Sequence, residues 1–180
     1  QSRSSAASDV YKRQPFQWQY SAAVRARSSG KFRDTGQALS AAEEVELADL
    51  DHDGDLDLVA GFAPDHIGRV WSNDGHGNFT LRTNLPLFLK PLLGDVDGDG
   101  DLDIVTDHLY VNEGAFKFTE SAALGEVHAL FDADGDVDLD VFAVQNSKAR
   151  VLLSNDGAGH FTPSAMGTSF IYDAQAGDLD

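Results

Sequence analysis

Short apolar runs with a period of two recur along the chain, each interrupted by a strongly polar turn. Val45 and Leu47, and later Val127, Ala129 and Phe131, alternate with other residues, the spacing of a half-buried strand. Each run stops at an Asp-rich stretch. Beyond it come LDLVAGF (56–62), LDIVT (102–106) and LDVFAV (139–144), β-rich segments of strand length. RVWSNDGHGNF (69–79), LYVNEGAFKF (109–118) and RVLLSNDGAGHF (150–161) then read as strand, Gly-rich hairpin turn and strand. Asp74–Gly75 and Asp156–Gly157 supply the positive-φ residues such turns require. The pattern predicts four short antiparallel strands per unit. No segment carries a capped helical stripe; the most helix-like stretch, Ala38 to Glu46, is short and runs into the first strand. The predicted class is all-β.

The units repeat. Three nine-residue windows align as D-L-D-H-D-G-D-L-D from Asp49, D-V-D-G-D-G-D-L-D from Asp95 and D-A-D-G-D-V-D-L-D from Asp132, at spacings of 46 and 37 residues. A unit of about 40 residues with four strands has the size of one propeller blade. The expected organisation is a unit at 35–81 with loop 49–57, a second at 82–120 with loop 95–103, and a third at 121–163 with loop 132–140. SSGKF at 28–32 marks 15–34 as the tail of a preceding unit, and GDLD at 177–180 marks 164–180 as the start of a truncated one. Residues 4–14, SSAASDVYKRQ, resemble the in-frame translation of a transposase-type sequencing adapter, so 1–14 is expected not to be native. The chain is therefore expected to be a fragment whose natural N-terminus, with any signal peptide, is missing.

Composition narrows the function. With 30 Asp+Glu against 13 Lys+Arg, the formal charge is −17, which repels nucleic acid and anionic lipid. No apolar run approaches the roughly 20 residues of a membrane helix, so no membrane insertion is expected. The absence of cysteine excludes disulfides, thiolate-ligated zinc and a thiol nucleophile. Half of the acids sit in the three windows, five Asp in each. Flanked by strands, charges packed that closely make sense around a cation.

The spacing D-x-D-x-D-G-x-x-D explains how a cation is held. Ca²⁺ takes six to eight oxygens, and alternate residues of a tight loop turn successive carboxylates onto one point. A glycine at the sixth position lets the backbone wrap, and one carbonyl fills a remaining corner. The expected side-chain ligands are Asp49, Asp51, Asp53 and Asp57 with the Asp55 carbonyl; Asp95, Asp97, Asp99 and Asp103 with the Asp101 carbonyl; and Asp132, Asp134, Asp136 and Asp140 with the Asp138 carbonyl. That makes about three Ca²⁺ sites. In the third loop Val137 replaces Gly54 and Gly100, and a β-branched residue tolerates positive φ poorly, so weaker binding is expected there. Mg²⁺ demands a stricter octahedron, and zinc is disfavoured by all-oxygen ligation. A helix–loop–helix calcium hand needs Glu at loop position 12, where Ala60, Thr106 and Ala143 stand. The carboxylates would also repel any phosphate placed in the glycine-bearing loop.

Other chemistry is sparse. Trp71, Phe79, Phe118 and Phe161 recur at equivalent strand positions, which assigns them to core between units. The six histidines are scattered, with His52 at a non-ligand loop position and His76 and His160 at hairpins, and form no ligand cluster. They are expected at the surface. No G-x-S-x-G or H-E-x-x-H occurs, and the carboxylates a glycosidase would need are committed to the loops. The expectation is no enzyme activity.

These units resemble the FG-GAP (VCBS-type) repeats of bacterial surface and secreted proteins, similar to the blades of the integrin α-subunit propeller. The resemblance covers roughly 28–180, because loop, following strand and N-D-G-x-G-x-F hairpin recur in order. It implies a partial β-propeller of four-stranded antiparallel blades, each calcium loop joining two strands. It further implies an extracellular or cell-surface location and a role in adhesion or in binding a carbohydrate or protein ligand on the propeller face. The alternative is an accessory propeller of a secreted hydrolase or lyase whose catalytic domain lies elsewhere in the parent protein.

Overall fold

The structure is a computed structural model and describes residues 34–39, 42–61, 66–86, 89–146 and 149–167. The adapter-like segment, the 28–32 motif and the 177–180 motif lie outside the described residues. The chain divides into two units at Gln37/Ala38. In the first, residues 34–37 form a turn in which Gly36 N donates to Asp34 Oδ1 at 2.7 Å.

The second unit is all-β. Its strands are β1 (Glu44–Ala48), β2 (Asp57–Gly61), β3 (Gly68–Asn73), β4 (Phe79–Leu85), β5 (Leu92–Gly94), β6 (Asp103–Val105), β7 (His108–Asn112), β8 (Phe118–Ala123), β9 (Glu126–Phe131), β10 (Asp140–Gln145), β11 (Ala149–Asn155) and β12 (Phe161–Gly167). They form three four-stranded sheets, β1–β4, β5–β8 and β9–β12, each an antiparallel meander in chain order. No helix occurs among the described residues, so none is long and apolar enough to cross a membrane. In each sheet an acidic loop joins the first strand to the second, and an N-D-G-type or N-E-G hairpin joins the third to the fourth. The fourth strands run on to Leu85, Ala123 and Gly167, past the expected unit ends at 81, 120 and 163. They can do so because pairing with the third strand continues through a register shift in every sheet.

Two cores lie between sheets. Val59 and Val70 of the first sheet meet Ile104 and Tyr110 of the second, with Leu50 and Phe116 completing the cluster. Val105 and Leu109 of the second sheet meet Val141, Ala143, Val151 and Leu153 of the third. Successive residues of β6 therefore serve different neighbours: Ile104 faces the first sheet and Val105 the third. A strand buried on both faces reads as an unbroken apolar run, which is why LDIVT shows no polar alternation.

Two of the alternating runs behave differently from a simple half-buried strand. Val45 and Leu47 alternate as expected, yet both are more than half exposed. In β9 the alternation is broken by an irregularity at His128: Val127 pairs with Ala143 and Ala129 with Phe142, so they lie on opposite faces. Phe118 and Phe161 pack against the two cores as expected, and Trp71 is half-buried. The His128 side chain is only 11% exposed and tilts against the Phe142 ring, so this histidine is not a surface group.

Candidate metal centres

The three acidic loops share one backbone course. Position four has positive φ in each, at His52 (60°), Gly98 (75°) and Gly135 (86°), and so does position six, at Gly54 (91°), Gly100 (96°) and Val137 (84°). A Cβ added at Gly54 or Gly100 would meet nothing within 4 Å. Steric room is therefore not what glycine supplies at position six; the left-handed backbone is, and Val137 bears its strain.

The first-position Asp organises the loop. Asp49 accepts Asp53 N at 3.1 Å and Gly54 N at 3.0 Å. Asp95 takes Gly98 N at 2.8 Å and Gly100 N at 3.1 Å; Asp132 takes Gly135 N at 2.7 Å and Val137 N at 3.0 Å. Those bonds curl the backbone so that carboxylate oxygens of positions one, three and five converge. Asp49, Asp51 and Asp53 each place one oxygen within 4.8 Å of the others, as do Asp95, Asp97 and Asp99, and Asp132, Asp134 and Asp136. Such an all-oxygen set fits a hard cation, and these groups could hold metal ions.

The remaining two Asp of each loop sit elsewhere. At position seven, the Asp55 and Asp138 carboxylates press on Gly75 and Gly157 of their own sheet's hairpin, where a Cβ would collide with them. Asp101 stands farther from Gly114, at ordinary contact distance from a Cβ there, and meets His52 Nε2 of the first loop at 2.8 Å. At position nine, Asp57, Asp103 and Asp140 are fully buried. Asp57 accepts Leu50 N and Asn73 N, both at 2.9 Å; Asp103 accepts Val96 N at 2.8 Å and Asn112 N at 2.9 Å; Asp140 accepts Ala133 N at 2.7 Å and Asn155 N at 2.8 Å. This carboxylate pins the loop to the hairpin, a role that spacing alone does not reveal. Each of its oxygens keeps a second lone pair for a cation.

Electrostatics match a site built for positive charge. Burial pushes the Asp103 carboxyl up to about 6, against the pull of its two backbone donors, and the charges of Asp97 and Asp99 add to the rise. Burial and neighbouring carboxylates also raise Asp57, Asp97, Asp134 and Asp138. A dication among them would favour the ionised forms.

The loops also join one sheet to the next through the hairpin Asn. Asn112 Nδ2 donates to Leu102 O of its own loop at 3.2 Å and to Leu50 O of the first loop at 3.0 Å. Asn155 Nδ2 likewise reaches Leu139 O at 3.2 Å and Val96 O at 2.7 Å. Residues 49–106 match the model of the FG-GAP-like repeat. This stretch is an FG-GAP-like repeat, and the match supports an FG-GAP-type repeat protein. The match runs from the first acidic loop to the end of β6, so it contains two of the three carboxylate groups. No curated protein matches the chain.

Proposed function

We propose that this FG-GAP-type protein is a calcium-binding β-propeller module of a secreted or cell-surface protein. It serves adhesion or the binding of a carbohydrate or protein ligand and has no catalysis of its own. The observation that carries the reading is the threefold gathering of carboxylates at loop positions one, three and five. Left uncompensated, that many buried and neighbouring acids oppose folding, and a bound dication reverses the penalty. Ca²⁺ suits the set better than Mg²⁺ because its coordination is larger and more forgiving.

Calcium then acts structurally. Each ion would draw its loop together beside the Asn bond that joins one sheet to the next, so metal occupancy supports the stacking of sheets. The test is isothermal titration with Ca²⁺ on the full chain, expected to give three equivalents with Kd on the order of 10⁻⁴–10⁻³ M, the range of extracellular modules. Asp51→Ala and Asp97→Ala should each remove one equivalent. Three equivalents retained by both variants would refute the ligand assignment, and no uptake at millimolar Ca²⁺ would refute the function.

A further inference from the structure

A chain of hydrogen bonds runs from one acidic loop to the next. Leu50 O, at position two of the first loop, accepts Asn112 Nδ2 of the second sheet at 3.0 Å. Asn112 N is held by Asp103 Oδ1 at 2.9 Å, and Asp103 Oδ2 holds Val96 N, at position two of the second loop, at 2.8 Å. Val96 O then accepts Asn155 Nδ2, whose own N–H is held by Asp140. Leu50, Val96, Asp103, Asn112, Asp140 and Asn155 are all buried. Asp103 and Asp140, expected as ligands of their own loops, thus also fix the asparagine that grips the preceding loop.

The first two loops share a second link. His52, at position four of the first loop, places Nε2 2.8 Å from Oδ1 of Asp101, at position seven of the second. Its φ is 60°, in the left-handed region where the other loops use Gly98 and Gly135. A histidine there brings backbone strain that glycine avoids, and what it adds is a side chain long enough to span two loops. The second loop has no such side chain to offer the third: Gly98 stands at position four, where an added Cβ would lie 3.1 Å from Gly157 O.

Both links join residues that lie between expected ligands. Leu50 and His52 flank Asp51, while Asp101 and Leu102, whose carbonyl Asn112 Nδ2 also binds at 3.2 Å, lie between Asp99 and Asp103. Ordering a loop around an ion costs conformational entropy, and a loop tied to one already ordered has less to lose. We propose that the first and second acidic loops fill with Ca²⁺ cooperatively, with Asn112 and His52 carrying the coupling. The proposal rests on the calcium reading above and adds regulation to it. Coupling of this kind is reciprocal: occupancy of either loop tightens the other by the same factor. The pair then responds to Ca²⁺ over a narrower concentration range than two identical independent sites.

The test is calorimetric titration of the full chain with Ca²⁺ at one fixed pH. Asp134→Ala disables the third loop and leaves two sites; adding Asp97→Ala leaves the first alone, and adding Asp51→Ala instead leaves the second alone. The product of the two stepwise association constants of Asp134→Ala should exceed the product of the two single-site constants by about fivefold or more. Asn112→Ala, introduced into all three chains, should remove most of that excess, with far-UV circular dichroism checking that the sheets are kept. His52→Gly, which puts glycine at a left-handed position and leaves the core untouched, should reduce the excess in chains whose fold is not in question. Equal products overturn the coupling while leaving calcium binding in place. An excess that neither Asn112→Ala nor His52→Gly diminishes overturns the assignment to these residues. No uptake by any of these chains overturns the calcium reading and this proposal with it.

Discussion

Asn155 Nδ2 lies 2.7 Å from Val96 O, so a hairpin side chain of the third sheet closes a hydrogen bond to the acidic loop of the second. Both groups are buried, and Asn112 repeats the arrangement one unit earlier on Leu50 O. Removing the amide leaves a buried carbonyl without its donor. Asn155→Ala and Asn112→Ala should each cost about 1–3 kcal/mol in urea unfolding. Asn73→Ala, which breaks one bond to its own loop and, as at the other two positions, one hairpin N–H bond to the amide oxygen, should cost less. Equal losses at all three positions would show that the inter-sheet bond adds nothing.

The sequence made the repeat, the acidic loops and the hairpins legible because each depends on local chemistry: alternate Asp, positive-φ glycines and period-two strands. Which face of a strand is covered depends on the neighbouring sheet, and Val45 and Leu47 follow a buried-strand pattern while standing open. The same limit hid the pinning role of the position-nine carboxylates, expected only as ligands, whose partners Asn73, Asn112 and Asn155 lie 16, 9 and 15 residues downstream. Trp71, Phe118 and Phe161 were visible as recurring aromatics. Phe116 and Phe142 were not, because neither has an aromatic counterpart in the other units.

Val137 is the clearest local misfit. Its φ of 84° stands where Gly54 and Gly100 have 91° and 96°, and its side chain is 46% exposed, so little packing offsets the strain. A left-handed non-glycine residue costs about 1–2 kcal/mol, and glycine's extra freedom in the unfolded chain returns about half of that. Val137→Gly should therefore raise stability by roughly 0.5–1 kcal/mol and tighten the proposed third calcium site. The reverse change, Gly100→Val, should weaken the second. Calorimetric titration of both variants reads the two shifts.

Phe116 presents the opposite balance. Its φ is 62° at a hairpin position where the other sheets have Gly77 and Gly159, yet its ring is 5% exposed in the core between the first two sheets. Arg82 lies over the ring at 5.1 Å from its centroid. Loss of a buried Phe costs about 3–5 kcal/mol, more than the strain it relieves. Phe116→Gly should thus lower stability by about 2–3 kcal/mol although it restores the repeat's own residue. A stabilised variant in chemical denaturation would mean that the ring packs poorly.

Asp103 would link acidity to a metal bound in its loop. Its carboxyl is pushed up to about 6 by burial, above the usual 3.8 it regains on unfolding, so the folded chain binds the proton more readily. With chelator present, the contribution of this group to stability should grow as pH falls from about 7 towards 4 and be lost again as pH rises through 6. With saturating Ca²⁺ the sign reverses, because protons then compete with the ion for the carboxylates. Thermal melts at several pH values, with and without Ca²⁺, should give curves of opposite slope in that window. Parallel slopes would separate Asp103 from the metal site. Asp103→Asn should flatten the chelator curve while costing about 1–3 kcal/mol, since one amide oxygen cannot serve both Val96 N and Asn112 N as the carboxylate does.

Tyr110 extends the pH argument to the alkaline side. Its hydroxyl donates to Pro86 O at 3.3 Å, and the residue is 2% exposed. Burial first, then the charges of Glu120 and Asp107, push the phenol up to about 12 from 10.0. The folded chain therefore holds this proton where the unfolded chain releases it, and stability should fall as pH rises above 10. In an ultraviolet titration of tyrosinate, one phenol of the four in the chain should ionise near pH 12 or only on unfolding. Tyr110→Phe should delete that late component and leave the rest of the curve in place. If the late component survived the substitution, Tyr110 would not be the shielded phenol, and its packing between the first two sheets would need to be redrawn.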